Sequence, residues 1–143
     1  MDFFTAMEVS ASGLSAERTR MNVAASNLAN ASTTRSADGG PYKRRDVVVE
    51  ATPIDARGAG YSQHASAVRQ VEVSQIAQDA APPRLEYDPG HPDADAKGYV
   101  AYPNINPVEE MVDMITASRA YEAGITTLST AVSMAERALS IGR

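Results

Sequence analysis

The 143-residue chain has no cysteine and no tryptophan. Without thiols there is no disulfide framework, no thiolate nucleophile and no cysteine-ligated metal. Aromatic residues are scarce at 6%, two Phe and six Tyr, so bulk for one large core is short and small side chains must do most of the packing. No run approaches the ~20 apolar residues of a membrane span. Neither sign of charge dominates: 13 basic residues face 18 acidic ones, a net −5. That balance excludes a basic nucleic-acid surface and a disordered polyelectrolyte alike. The opening Met1-Asp2-Phe3-Phe4-Thr5-Ala6-Met7-Glu8 is acidic where a secretory signal is basic, and it has no apolar stretch behind it. The expectation is a protein that stays in the cytoplasm, or leaves by a route needing no cleaved signal.

Catalytic signatures are missing too. There is no Gly-rich phosphate loop, nucleophile elbow or His-Glu-x-x-His. His64 stands alone in a Gly/Ser/Gln-rich stretch. Asp88, His91, Asp93 and Asp95 crowd three carboxylates and an imidazole into one short segment, faintly like a calcium loop. Lys97 takes a ligand position there, and Asn104 stands where a bidentate Glu is required, so a polar turn is the better reading. Lys43-Arg44-Arg45, in an acidic protein, reads as a solvated strand edge or a salt-bridge donor between subunits. No catalytic residue, metal site or cofactor is expected.

What the chain does have is periodicity. All eight prolines lie from Pro41 to Pro107, and six of the nine glycines from Gly39 to Gly98, which leaves both ends free to form long helices. Before that broken middle, Phe4, Met7, Ala11, Leu14, Arg18, Met21, Ala25, Leu28 and Ser32 alternate gaps of three and four, a heptad seam. After it, Met111, Met114, Ser118, Tyr121, Ile125, Leu128, Val132, Ala135 and Leu139 do the same without a charged position. Asn106-Pro107-Val108-Glu109 predicts a helix start, with Asn as cap, Pro at the first helical position and Glu reaching back to the cap. Gly124 inside that helix costs ~1 kcal/mol against Ala, which implies a close backbone approach or a stabilising partner. Asn22, Asn27 and Asn30, among Ala and Ser, suggest a packed protein–protein surface at the end of the first helix.

Val47-Val48-Val49, the alternating Val71 and Val73, Leu85 to Tyr87, and Tyr99 to Tyr102 read as short strands. Asp38-Gly39-Gly40-Pro41, Arg57-Gly58-Ala59-Gly60 and Asp88-Pro89-Gly90 read as breakers. The expected fold is mainly α with a small β region, the two terminal helices forming an antiparallel coiled coil around a short-stranded β-rich insert. Its parts are an N-terminal heptad helix (1–34), a Pro/Gly-rich middle domain (35–103) and a C-terminal heptad helix (104–143). Neither arm alone offsets ~1–2 kcal/mol per residue of backbone entropy, so both are expected to order on assembly. The assembly interface is expected at Leu14, Met21, Asn27, Leu28, Asn30, Met111, Met114, Tyr121, Ile125, Leu128, Val132 and Leu139.

Particular segments carry a resemblance. Ser12-Gly13-Leu14-Ser15-Ala16-Glu17-Arg18, followed by Asn27-Leu28-Ala29-Asn30-Ala31-Ser32-Thr33-Thr34, resembles the N-terminal signature of bacterial flagellar rod and hook proteins. Pro41-Tyr42-Lys43-Arg44-Arg45 is similar to the segment that follows it there. Gly98-Tyr99-Val100-Ala101-Tyr102-Pro103-Asn104-Ile105-Asn106-Pro107-Val108-Glu109-Glu110-Met111 and Met114-Ile115-Thr116-Ala117-Ser118-Arg119-Ala120-Tyr121-Glu122-Ala123 resemble the proximal-rod members. Gly124 departs from relatives that commonly carry Asn. The resemblance implies a structural subunit of the basal-body rod, which carries motor torque across the periplasm. It also implies export through the flagellar type III apparatus without a cleaved signal. The implied partners are further copies of itself, the rod proteins FlgB, FlgF and FlgG, and the base proteins FliE and FliF. It implies no cofactor and no nucleic acid. Two other readings remain open at this point: a coiled-coil adaptor or secretion chaperone, and a small enzyme using the Asp88–Asp95 cluster.

Overall fold

The computed structural model describes residues 3–37, 39–54 and 68–142, in the order α1 (Phe3–Ala29), β1 (Arg45–Pro53), β2 (Arg69–Gln78), β3 (Arg84–Tyr87), β4 (Tyr99–Tyr102) and α2 (Pro107–Ile141). Asp38, His64 and the Arg57–Gly60 breaker lie outside the described residues. The chain is mainly α with a small antiparallel β region. No described helix is long and apolar enough to cross a membrane.

Asn106 starts α2 as its spacing predicts. Its Oδ1 accepts from the Val108 N–H at 3.1 Å, and Pro107 follows at the first helical position. Glu109 makes no return bond to the cap, and it is the neighbouring Glu110 that turns inward. At ~1.5 Å per residue the 35 residues of α2 span about 50 Å. The register with α1 is antiparallel, since Asn27 meets Glu110 while Leu14 meets Gly124.

The pairing seam differs from the expected one in a regular way. Met7, Leu14, Met21 and Leu28 are half-buried as expected, and so are Met114, Tyr121, Leu128 and Ala135. The alternate positions are displaced by one residue in both helices. Phe4, Ala11, Arg18 and Ala25 are exposed, and Ser10, Glu17 and Ala24 turn inward instead. On α2, Met111, Ile125 and Leu139 are exposed, whereas Glu110, Ala117, Gly124 and Ala131 take the inner line. Ser118 and Val132 stay half-buried at its margin. Small residues win this line because they let two backbones close together. At Gly124 an added Cβ would stand 2.7 Å from Leu14 Cδ2. The mid-helix glycine is therefore a seat for Leu14.

A second partner also turns α1. β1 pairs antiparallel with β2, with a register break between Val48 and Val49 that leaves Ser74 unpaired. This hairpin packs on α1, where Ser12 Oγ accepts from the Val71 N–H at 3.1 Å. α1 thus divides its surface between α2 and a sheet. β3 and β4 form a separate two-stranded sheet, with Arg84 opposite Tyr102 and Tyr87 opposite Tyr99. Val100 on β4 is fully buried, and Pro103 and Ile105 are buried in the segment that leads into α2.

Candidate functional site

Three segments meet in a polar clasp. Asn27, from the last turns of α1, is only 1% exposed. Its Nδ2 donates to the Arg45 carbonyl at 2.8 Å and to Glu110 Oε2 at 3.0 Å. Its Oδ1 accepts from the Arg45 N–H at 3.0 Å and from the Tyr42 hydroxyl at 3.2 Å. Two donors and two acceptor sites are all an amide has, and all four are used. The side chain therefore reads both backbone groups of Arg45 as a neighbouring strand would.

Glu110, from the first turn of α2, is 2% exposed. A carboxylate this deep needs a cation, and Arg44 Nε donates to its Oε1 at 2.6 Å. Arg44 also bridges to Asp46, and more loosely to Asp113 at 3.9 Å. Burial works against the guanidinium charge, but the Glu110 hydrogen bond and the charges of Glu110 and Asp46 outweigh it, and Arg44 is held above the ordinary arginine range. The basic run, expected as a solvated strand edge or a salt-bridge donor between subunits, leaves Lys43 and Arg45 exposed and makes Arg44 a salt-bridge donor inside the chain. Asn27 likewise has no capacity left for another subunit. Asn30 spends its amide on the end of α1, donating to the Ser26 carbonyl at 2.8 Å and accepting from Thr33 Oγ1 at 3.1 Å. Asn22 is exposed. Spacing could flag an asparagine cluster but not its partner, because Arg44 and Glu110 are remote in sequence.

The Asp88–Asp95 cluster turns its groups onto its own loop. Asp88 Oδ1 accepts from the Gly90 N–H at 3.1 Å, and His91 Nδ1 from the Asp93 N–H at 3.1 Å. Asp95 Oδ1 accepts from the N–H groups of Lys97 and Tyr99 at 2.7 and 2.9 Å. Asp93 reaches outward to Thr34 Oγ1 at 2.8 Å and toward Arg35 at 3.8 Å. Gly98 closes this β3–β4 connection at φ +83°, where a Cβ would stand 2.8 Å from the Tyr87 ring. Among the described residues no three His, Cys, Asp or Glu side chains form a group able to hold a metal.

The other feature is an uncovered helix face. Val108, Met111, Val112, Ile115 and Ile125 on α2 are all exposed. Beside them, Met21 and Ala25 of α1 with Met114, Ile115 and Tyr121 of α2 line an open groove of about 560 Å³. A helix pair locked internally by polar geometry, with apolar surface left outside, defines a protein made to be packed against others.

Comparison with known proteins gives that class its name. Residues 7–35 match the family described as flagella basal body rod protein, and residues 96–141 match the C-terminal family of flagellar basal body rod FlgEFG proteins. The chain is 43% identical to the flagellar basal-body rod protein FlgC of Borreliella burgdorferi, over 99% of this chain and 98% of that protein. It is 41% identical to the FlgC of Salmonella typhimurium and 40% identical to that of Bacillus subtilis, in both cases over the full length of each chain. The chain therefore belongs to the FlgC family of flagellar basal-body rod proteins, structural rod subunits and not enzymes.

Proposed function

We infer that this chain builds the proximal part of the rod by packing its paired terminal helices against those of neighbouring subunits. In this reading the helices form a coiled-coil hairpin (1–34 with 104–143), and the middle domain (35–103) stands outside as a spacer and contact surface. Close-packed helices of this kind would carry torque along the rod axis. The neighbours would be further copies, FlgB, FlgF and FlgG, with FliE and the FliF ring at the base. Export would be through the flagellar type III apparatus, with no cleaved signal.

The observation that carries the reading is the apolar face of α2, where Val108, Met111, Val112, Ile115 and Ile125 are all exposed among the described residues. The expected interface divides on this basis. Met111, Ile125 and Leu139 are free to meet a neighbour, whereas Leu14, Met21, Leu28, Met114, Tyr121, Leu128 and Val132 face or border the partner helix and would act through the hairpin. The test is Ile125→Asp in a motile strain whose own copy of the gene is deleted. The variant should fold with an unchanged melting midpoint, be exported, and fail to support rods. Normal swimming would remove the α2 face from the interface.

A further inference from the structure

Met7, Leu14, Met21 and Leu28 recur at heptad spacing on the half-buried side of α1. On the inner line of α2, Glu110, Ala117, Gly124 and Ala131 recur at the same spacing, and the next step is the exposed Ala138. A line of Met and Leu laid on a line of alanines matches itself again after one heptad, a slide of ~10 Å along the axis. Such a seam says which faces meet but not at what height. Only Glu110 and Gly124 on the α2 line are not alanine, and each makes a contact that a slide would break.

Glu110 acts by charge. Its Oε2 accepts from Asn27 Nδ2 at 3.0 Å and its Oε1 from Arg44 Nε at 2.6 Å, and a buried carboxylate tolerates the loss of neither. Gly124 acts by shape. An added Cβ there would stand 2.7 Å from Leu14 Cδ2 and 3.4 Å from Leu14 Cγ, so Leu14 fills the space that an alanine would claim. The same register sets Met21 opposite Ala117 and Met7 opposite Ala131. Unbranched Met adapts around a Cβ where Leu, branched at Cγ, does not. One heptad on, Leu14 would face Ala131, and Glu110 would lie beyond Ala29, where α1 ends.

We propose that Glu110 and Gly124 fix the height of α2 against α1, each able to hold it alone, while the alanines between them carry packing without register. In the rod reading this height decides which part of the exposed α2 face stands beside which part of α1. The inference itself concerns the isolated chain and holds with or without that reading.

The chain has no cysteine, so introduced pairs report the register directly. Asn22 and Ser118 line the same groove between the helices, and Ile125 stands one heptad beyond Ser118 on α2. With a short bis-maleimide on the dilute full chain, Asn22→Cys/Ser118→Cys should close within the chain. Asn22→Cys/Ile125→Cys should close at least ~10-fold less, its second site being ~10 Å further along the axis. Glu110→Ala alone and Gly124→Ala alone should keep that ratio. Together they make the inner line alanine throughout, and the two pairs should then close within about threefold of each other. Adding Ala131→Gly moves the seat by one heptad, and the Ile125→Cys pair should become the stronger. Arg44→Gln, added to the Glu110→Ala variants, removes the cation left without its carboxylate and keeps the series readable if Glu110→Ala does not fold. A native ratio in the Glu110→Ala/Gly124→Ala/Ala131→Gly chain would overturn the proposal, as would slippage in either single variant. A fall in both yields without exchange between the pairs would reduce the two residues to packing and overturn it equally.

Discussion

At one end of the helix pair, Asn27, Arg44 and Glu110 bind α1, β1 and α2 through hydrogen bonds that are all made within the chain. At the other end Phe3 and Phe4 pack edge to face, and the last turns of α2 are exposed. The clasped end is specified by polar geometry, where Asn27 uses all of its donors and acceptors and Glu110 is matched by Arg44. The free end is specified only by composition, an apolar surplus that any matching surface can cover. One end thus fixes the subunit's own shape, and in the function proposed above the other is left for assembly.

The comparison breaks most readily at Arg44. Arg44→Ala leaves the Glu110 carboxylate buried without its cation, and should cost about 3–5 kcal/mol in urea unfolding. A loss under 1 kcal/mol would mean that the clasp is ornamental. Its pH behaviour follows from the sign of the shift. A guanidinium held above its ordinary value contributes stability that is fully present below that value, so the clasp should not weaken through Arg44 anywhere from neutral pH into the alkaline range. Arg44→Lys, with an ordinary pKa near ~10, should instead lose stability as pH rises through that region.

Asn27→Ala is next in size. It strands both backbone groups of Arg45 and removes one of the Tyr42 hydroxyl's two partners, the other being Ser26 Oγ, and about 3 kcal/mol should be lost. Leu128 and Ile125 then sharpen the contrast on one helix. Leu128→Asp, half-buried at the partner helix, should cost about 2 kcal/mol in the isolated chain, while Ile125→Asp should stay within ~0.5 kcal/mol and act only on assembly.

Gly124→Ala sits midway along the pair. It gains ~1 kcal/mol of helix propensity and loses a similar amount by pushing on Leu14, so alone it should be nearly neutral. In a Leu14→Ala background the gain should reappear, and a double-mutant cycle reads that coupling. The smallest effect belongs to the Asp88–Asp95 loop. Asp95→Ala releases two backbone N–H groups and should cost about 1 kcal/mol, Asp93→Ala no more than ~0.5 kcal/mol. Added calcium should leave the melt of the parent chain unchanged. A calcium-dependent rise that vanishes in Asp93→Ala/Asp95→Ala would make the loop a metal site after all.

Much of the fold was legible because it is local. The proline map marked where helices could run, Asn106-Pro107 marked where α2 starts, and the alternating Val and Tyr runs marked the strands. The face of each helix was legible only to within one residue. A 3-4 spacing of apolar side chains identifies a seam, but Ala117, Gly124 and Ala131 outcompete Ser118, Ile125 and Val132 for the inner line because backbone approach favours the smaller residue. Periodicity scores hydrophobicity and is blind to that preference. The clasp was hidden for another reason: Arg44 and Glu110 are 66 residues apart, and a buried ion pair leaves no local spacing. The expectation that both arms order only on assembly weighed each helix alone and did not include a clasp that joins them, so order in the monomer is what separates the two.

Hydrogen exchange on the dilute monomer tests this division between the ends most directly. The account predicts slow exchange at Ala24 to Leu28, at Val47 to Val49 and through the first turns of α2 after Glu110, with fast exchange from Glu136 onward. On assembly the Glu136–Ile141 amides should slow while the clasp stays as it was. Fast exchange along the whole of both helices, up to Asn30 and beyond Pro107, would contradict it.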